Sequence, residues 1–297
     1  MLVGHKRLVS DVAISQKGDF AASREIGTDK TFIWSFPSGK KLHVIENGQR
    51  GIYYAMAFTP NGKELAILTS KGLFMHTLAQ QGNLEIKSIP IKDANAIAFS
   101  DDGTLFAVNH DQDLVVYDRK TCTIRHTLSG PKLGISHILF SRDSGTVAAT
   151  TRDQTLWQWQ LGDPKNRSEL KGDLSSVAFL ATAPNPNSLI SAGMGGQVML
   201  WDLAKGRSTK LFKADHDISS VASSLNGKLL ALGTLGGGTE IWNLDRNKRI
   251  SILMSSYHVY SVAMSADGAY VLMSYGKNAI IDDKLGRVAL LRLAVQQ

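Results

Sequence analysis

The sequence predicts an all-β chain made of seven consecutive copies of one unit of four antiparallel strands. Three observations predict it. One residue position recurs along the whole chain at intervals of 40 to 42, a second register of strand-like runs keeps the same interval, and no helical segment of useful length separates the copies. Regularity of this kind marks an array of a single structural unit.

The first register is read from GQVMLWDL, Gly196 to Leu203, which ends in the only Trp-Asp dipeptide of the chain. Related segments are KTFIWSF, GLFMHTL, LVVYDRK, LWQWQLG, TEIWNLD and, more faintly, NAIIDDK. Aligned on the tryptophan, they place Trp34, His76, Tyr117, Trp159, Trp201, Trp242 and Asp282 in one column, at successive intervals of 42, 41, 42, 42, 41 and 40. Trp159 and Trp201 are expected to be buried structural residues.

Each unit opens with a strand-like run: VSDVAIS, YYAMAFT, ANAIAFS, ISHILFS, LSSVAFL, ISSVASS and VYSVAMS. Turns follow in most copies (QKGD, PNGK, DDGT, RDSG, PNPN, LNGK, ADGA), where Asn-Gly and Asp-Gly supply the positive φ that tight hairpins require. A second apolar run comes next, such as ELAILTS or LLALGT, and the tryptophan-position strand is third. After a polar turn, an alternating fourth strand such as KLHVIE, TIRHTL or RISILM completes the unit. The chain is thus one domain, residues 1–297, with units at about 4–46, 47–90, 91–129, 130–170, 171–213, 214–254 and 255–297.

Four strands per unit, seven times over, resembles the WD-repeat β-propeller family across essentially the entire chain. The resemblance implies a seven-bladed β-propeller, in which each blade hides its sheet edges by packing on its neighbours. Family repeats often carry Gly-His before the first strand, an Asp in the turn before the third, and Trp-Asp at its end. Gly4 and His5 match in the first unit, Asp215 and His216 resemble that pair in the sixth, and Asp111 and Asp153 match the turn aspartate. The fifth and sixth units instead have glycine-rich turns, GMGGQ and LGGGT, so the family's buried polar network is incomplete in most blades.

Closure of the ring has two readings. In many relatives the N-terminal segment supplies the outer strand of the last blade, but only Met1, Leu2 and Val3 precede Gly4 and His5. The alternative matches DDKLGRVALLRL with WDLAKGRSTKLF, puts Asp282 at the tryptophan position and makes RVALLRLAV a C-terminal fourth strand. The second reading is preferred, and the abrupt start suggests a piece of a longer protein.

Composition bounds the function. The chain is 43% hydrophobic and 20% charged, which supports a sizeable core and argues against disorder. No run of about 18 apolar residues is present, and MLVGHKRLVS lacks a signal-peptide core, so the default compartment is the cytoplasm. Cys122, the single cysteine, excludes an intrachain disulfide and a multi-cysteine metal site and is read as a packed or turn thiol. No P-loop, dinucleotide fingerprint, Gly-x-Ser-x-Gly elbow or His-Glu-x-x-His appears. NHDQD, Asn109 to Asp113, reads as a polar turn rather than a metal site, and Asp101 and Asp102 as turn residues pointing apart. No catalytic residue, cofactor or metal is expected.

The leading reading is a non-catalytic protein-interaction scaffold, monomeric as an isolated domain, whose partners are other proteins. The resemblance implies a top face, formed by the loops entering first strands and those joining second to third strands. Tyr53, Tyr54, His137, Tyr257, His258 and Tyr260 fall there, as partner contacts or as packing between blades. The alternative is a binder of nucleic acid, an acidic partner or anionic membrane. Net charge is +7, and the turns between third and fourth strands hold Lys40, Lys41, Arg119, Lys120, Lys165, Arg167, Lys205, Arg207, Arg246, Lys248, Arg249, Lys284 and Arg287. Against these thirteen stand six acids, Asp118, Asp163, Asp202, Asp245, Asp282 and Asp283, so the bottom rim is basic. Lysines beside outer strands also discourage edge-to-edge aggregation, and a solvated rim is the plainer reading.

Overall fold

The structure is a computed structural model that describes residue 2 and residues 4–46, 51–78, 85–91, 93–170, 178–253, 257–276 and 287–293. It is all-β: seven blades of antiparallel strands form a propeller ring, and the described residues include no α-helix. Strands follow one another in sequence order within each blade. Blade one consists of Val9–Ile14, Phe20–Glu25, Lys30–Ser35 and Lys41–Glu46. The first strands of the others, Tyr53–Phe58, Ile97–Phe99, Ile135–Phe140, Phe179–Thr182, Ile218–Ser223 and His258–Met264, line the centre of the ring.

Second strands such as Glu64–Thr69 and Thr146–Thr151 are buried almost without alternation because neighbouring blades cover both faces. Bottom turns share a device beyond their glycine. A Ser or Thr before the turn, as in Ser100, accepts from the backbone N of Leu105 at 2.9 Å and donates to Asp102 at 2.6 Å. Thr59, Ser141, Ser224 and Ser265 repeat the pattern, which gives the turn's polar groups internal partners.

Apolar clusters fill the spaces between blades. Trp34, Trp159 and Trp201 are among the largest fully buried side chains, each with its indole N–H satisfied. Trp34 and Trp201 donate at 2.8 Å to Ser23 and Ser191, and Trp159 donates at 3.2 Å to the Ser129 carbonyl. In blade one His5 Nε2 also meets Ser23 Oγ, at 2.7 Å. Cys122 sits in a turn, half-buried, with φ 58°.

The seventh blade corrects the expected closure. Arg287–Arg292 pairs directly with the second strand Tyr270–Gly276, so it is the third strand and not the fourth. Its register sets Leu291 opposite Val271, as Trp34 stands opposite Ala21 and Trp201 opposite Leu189. Leu291 therefore takes the tryptophan position assigned to Asp282, which lies outside the described residues. The apparent repeat of GR in the last unit misled the alignment by about one strand. The fourth position begins instead at the other end of the chain, where Leu2 N donates to Val288 O at 3.1 Å and the two residues form an antiparallel bridge.

Leu2 sits in a place that every other blade fills. Opposite the residue three before the tryptophan position stand Ile45, Ile89, Leu128, Leu170, Phe212 and Leu253 in the outer strands of blades one to six. In blade seven that residue is Val288, and opposite it is Leu2, which is buried. Gly39 lets it in: its φ is +74°, and a Cβ there would stand 3.0 Å from Leu2 Cδ2. One buried apolar side chain in register, that of Leu2, supplies the anchoring contact.

Candidate interaction surfaces

Five of the first strands are irregular at their top ends. Irregularities in register fall between Val9 and Asp11, Tyr53 and Ala55, Ile135 and His137, Ile218 and Ser220, and Val259 and Ser261. Each leaves one extra residue, and in blades two and seven that residue is Tyr54 and Tyr260. A bulge re-aims side chains, which is how consecutive tyrosines part company here.

Tyr53 turns inward. Its hydroxyl donates to Asp11 Oδ2 at 2.6 Å, Ser261 Oγ donates to Asp11 Oδ1 at 3.0 Å, and the Arg24 guanidinium lies 5.1 Å from the Tyr53 ring centre. Burial raises the pKa of Asp11 and pushes that of Tyr53 well above its usual value, with the neighbouring Asp11 charge adding to the second effect. This group ties blades seven, one and two together at the channel wall.

Tyr54 faces solvent at 41% exposure. His137 packs edge-on against Phe179 with ring centres 4.9 Å apart, and burial lowers its pKa to about 4. Tyr257 lies 5.9 Å from the Tyr275 ring, while His258 and Tyr260 are half-buried; burial raises the Tyr260 pKa. Of the six expected contact residues, then, Tyr54 alone is exposed and the others are built into the wall or half-covered.

Apolar residues that pattern reading passed over join it. Ile26, Ile52, Leu133, Met194 and Leu235 are exposed in top-face loops. Met194 and Leu235 neighbour one another through Asp217, whose carboxylate accepts from Gly195 N and whose carbonyl accepts from Leu235 N. Their signal was available: large apolar residues at turn positions that need only polar ones.

The basic rim is uneven. Arg119 donates to Glu64 at 2.7 Å and to the Gly103 carbonyl at 2.7 Å, which makes it a tie between blades two and three. Arg249 contacts Asp215 at 2.7 Å and buried Glu240 at 3.5 Å, and Lys205 contacts Asp202 at 3.0 Å. Arg167 donates to the Ser129 carbonyl at 2.6 Å. Lys40, Lys41, Lys120, Lys165, Arg207, Arg246 and Lys248 are exposed. Arg287 begins a third strand, opposite Tyr275 at the top, so it does not belong to the bottom rim; Lys284 lies outside the described residues. His110, Asp111 and Asp113 line a polar cavity on the top face with Asp93, Asn109 and Arg152. Among the described residues no cluster of three His, Cys, Asp or Glu side chains is placed to hold a metal ion.

The sequence profile of the WD domain, G-beta repeat, matches residues 122–160 and 164–202. Both matched segments end one residue after a buried tryptophan, Trp159 or Trp201, and begin at the outer strand of the preceding blade. These two segments are WD repeats, and with the seven-bladed fold they support a WD-repeat β-propeller. It is 25% identical over 126 residues to Autophagy-related protein 16 of Arabidopsis thaliana, covering 42% of this chain and 25% of that protein. It is 29% identical over 112 residues to WD repeat-containing protein 82 of Drosophila melanogaster, covering 37% and 35%. The matches thus span well under half of either relative's length. Among solved structures, the RRP9 WD40 repeats superpose with a TM-score of 0.80 at 18% identity, covering 98% of this chain and 96% of that one. U3-55K superposes with a TM-score of 0.81 at 19% identity, covering 98% and 97%. At such identity these two likenesses speak for the fold.

Proposed function

We propose that this WD-repeat propeller is a non-catalytic protein-interaction module whose partner docks on the top face beside Tyr54. The observation that carries this reading is the exposure of large apolar side chains in top-face loops of five blades: Ile26, Ile52 with Tyr54, Leu133, Met194 and Leu235. Turns between strands have no structural need for such residues, and exposed apolar groups around an aromatic are the usual make-up of a protein contact. The basic bottom rim offers a second surface, but three of its cations are held by carboxylates of the same chain.

A photo-crosslinking residue separates the two surfaces. Benzoylphenylalanine at position 54 is expected to trap a discrete protein partner in cells, whereas the same group at position 207 traps none. Purified partner then loses at least tenfold in affinity to Ile52→Asp and little to Lys248→Glu, with weak dependence on salt. Loss through Lys248→Glu with a steep salt dependence, and none through Ile52→Asp, gives the surface to an anionic partner instead.

A further inference from the structure

At the bottom end of each first strand one residue stands in the same column, opposite the second-strand residue that faces the tryptophan position. Blades one, two, three, four and seven carry Ile14, Phe58, Phe99, Phe140 and Met264 there, all large and apolar. Blades five and six carry Thr182 and Ser223, whose hydroxyls hydrogen-bond each other at 2.7 Å. These two small side chains border a hollow of about 280 Å3 at the bottom mouth of the central channel, with Ile14, Phe58, Phe99 and Met264 among its other walls. Leu225 forms its lip in blade six, 41% exposed, and its backbone N–H donates to the Ala266 carbonyl at 2.9 Å. Asp101 lines the same hollow, and among the described residues no group donates a hydrogen bond to its carboxylate. Arg142, which acts on it electrostatically, donates instead to the Pro184 and Asn226 carbonyls at 3.2 Å. Burial raises the Asp101 pKa, as it does for a carboxyl short of donors.

We propose that this hollow receives a single tryptophan of a partner protein, its indole N–H donating to Asp101, with acidic residues next to it in the partner that lie over Lys17 and Lys63. The apolar walls and the size call for one large side chain, and the lone acceptor selects its tip. An indole is a donor only, so it satisfies Asp101 and buries no unmatched acceptor of its own. Lys17 and Lys63 supply the charge complementarity. Both are exposed in the first bottom turns of blades one and two, and those turns touch: a Cβ on Gly62 would stand 3.5 Å from the Lys17 side chain. Among the described residues neither lysine is ion-paired. A second copy of the chain does not supply the anchor, because none of its five tryptophans is exposed, and residues 294–297 hold no aromatic. The segment runs from the axis toward blades one and two, away from Arg207 in blade five and on the face opposite Tyr54, so it stands independently of the top-face reading.

The probe is an acetylated pentapeptide, glycine–tryptophan–glutamate–glutamate–glycine, with fluorescein at its C-terminus. Anisotropy is expected to show saturable binding, and the ring current of the bound indole shifts the Met264 methyl resonance upfield. Methylating the indole nitrogen weakens the peptide at least fivefold. Asp101→Ala weakens the unmethylated peptide to the same level and leaves the methylated one unchanged, which separates the lost hydrogen bond from the added bulk. Ser223→Met gives blade six the residue that blade seven has in this column and fills the hollow, and binding falls at least tenfold. Leu225→Asp, an exposed change that spares the core, does the same should the filled variant fold poorly. Lys17→Glu with Lys63→Glu reverses the preference in favour of a peptide with lysines in place of the glutamates. The proposal is overturned if no saturable binding occurs, if the methylated peptide binds the parent equally, or if Ser223→Met and Leu225→Asp both bind undiminished. It is also overturned if N-acetyltryptophanamide binds as tightly as the peptide, which assigns the hollow to a small aromatic molecule.

Discussion

The Tyr53 hydroxyl and the Ser261 hydroxyl grip opposite oxygens of Asp11, at 2.6 and 3.0 Å, so one buried carboxyl joins three blades of which two lie at opposite ends of the chain. Tyr53→Phe removes one grip and leaves the carboxyl short of a donor. The expected cost is about 1.5 to 3 kcal/mol, seen as a lower denaturation midpoint. Partner affinity measured on the folded variant is expected to hold, while Tyr54→Ala shows the reverse: little change in stability and a loss of affinity. Equal effects of the two substitutions on affinity would remove the distinction between wall and surface.

Trp201 is fully buried and donates to Ser191 at 2.8 Å. Truncation to alanine opens a cavity and strands the serine, at an expected cost of about 3 to 5 kcal/mol. Chemical denaturation followed by circular dichroism measures it; an unchanged midpoint contradicts the register of blade five.

Leu2 carries the closure of the ring. Leu2→Ala is expected to cost about 2 to 4 kcal/mol, in the range of other buried leucines. Leu2→Asp should go further, giving a broadened unfolding transition and aggregation through the edge it uncovers. Deleting residues 294–297 is expected to change neither, which separates this closure from one made by the end of the chain.

His137 gives a dependence on pH. Burial holds its folded-state pKa at about 4, below the ordinary 6.5, so the folded protein binds fewer protons than the unfolded chain between those values. Its contribution is therefore complete above pH 6.5, falls as the pH drops toward 4, and is lost below that. The full shift corresponds to roughly 3 kcal/mol, discounted to about 1 to 2 because the residue keeps some contact with solvent. The melting temperature of His137→Phe, which retains the packing on Phe179, is expected to lose less than the parent's between pH 6.5 and 4.5.

Much of the fold was legible because its signals are local. A turn such as DDGT needs its glycine and its serine or aspartate whatever surrounds it, and a strand buried on both faces, such as Glu64–Thr69, reads as a continuous apolar run. Seven repeats of those signals leave little freedom in the architecture. The last blade escaped because its decisive contact joins Leu2 to Val288, and pairing across the whole chain leaves no periodic mark in either segment. The surface residues divided similarly. That Tyr53 and Tyr54 are neighbours in sequence was plain, but which one faces solvent depends on a bulge that the sequence does not announce. Arg119 and Arg249 looked like free cations because Glu64 and Asp215, their partners, lie in other strands and loops.

The bridge between Leu2 and Val288 also orders events in time. During synthesis the first six blades can assemble as they emerge, each from a contiguous stretch of chain, but the seventh waits for Arg287–Arg292. Until then the Leu2 segment and the exposed flank of blade one have nothing to dock on. The nascent protein is an open arc with two sticky ends, and the interval before its final strand arrives is when a chaperone would find most to hold.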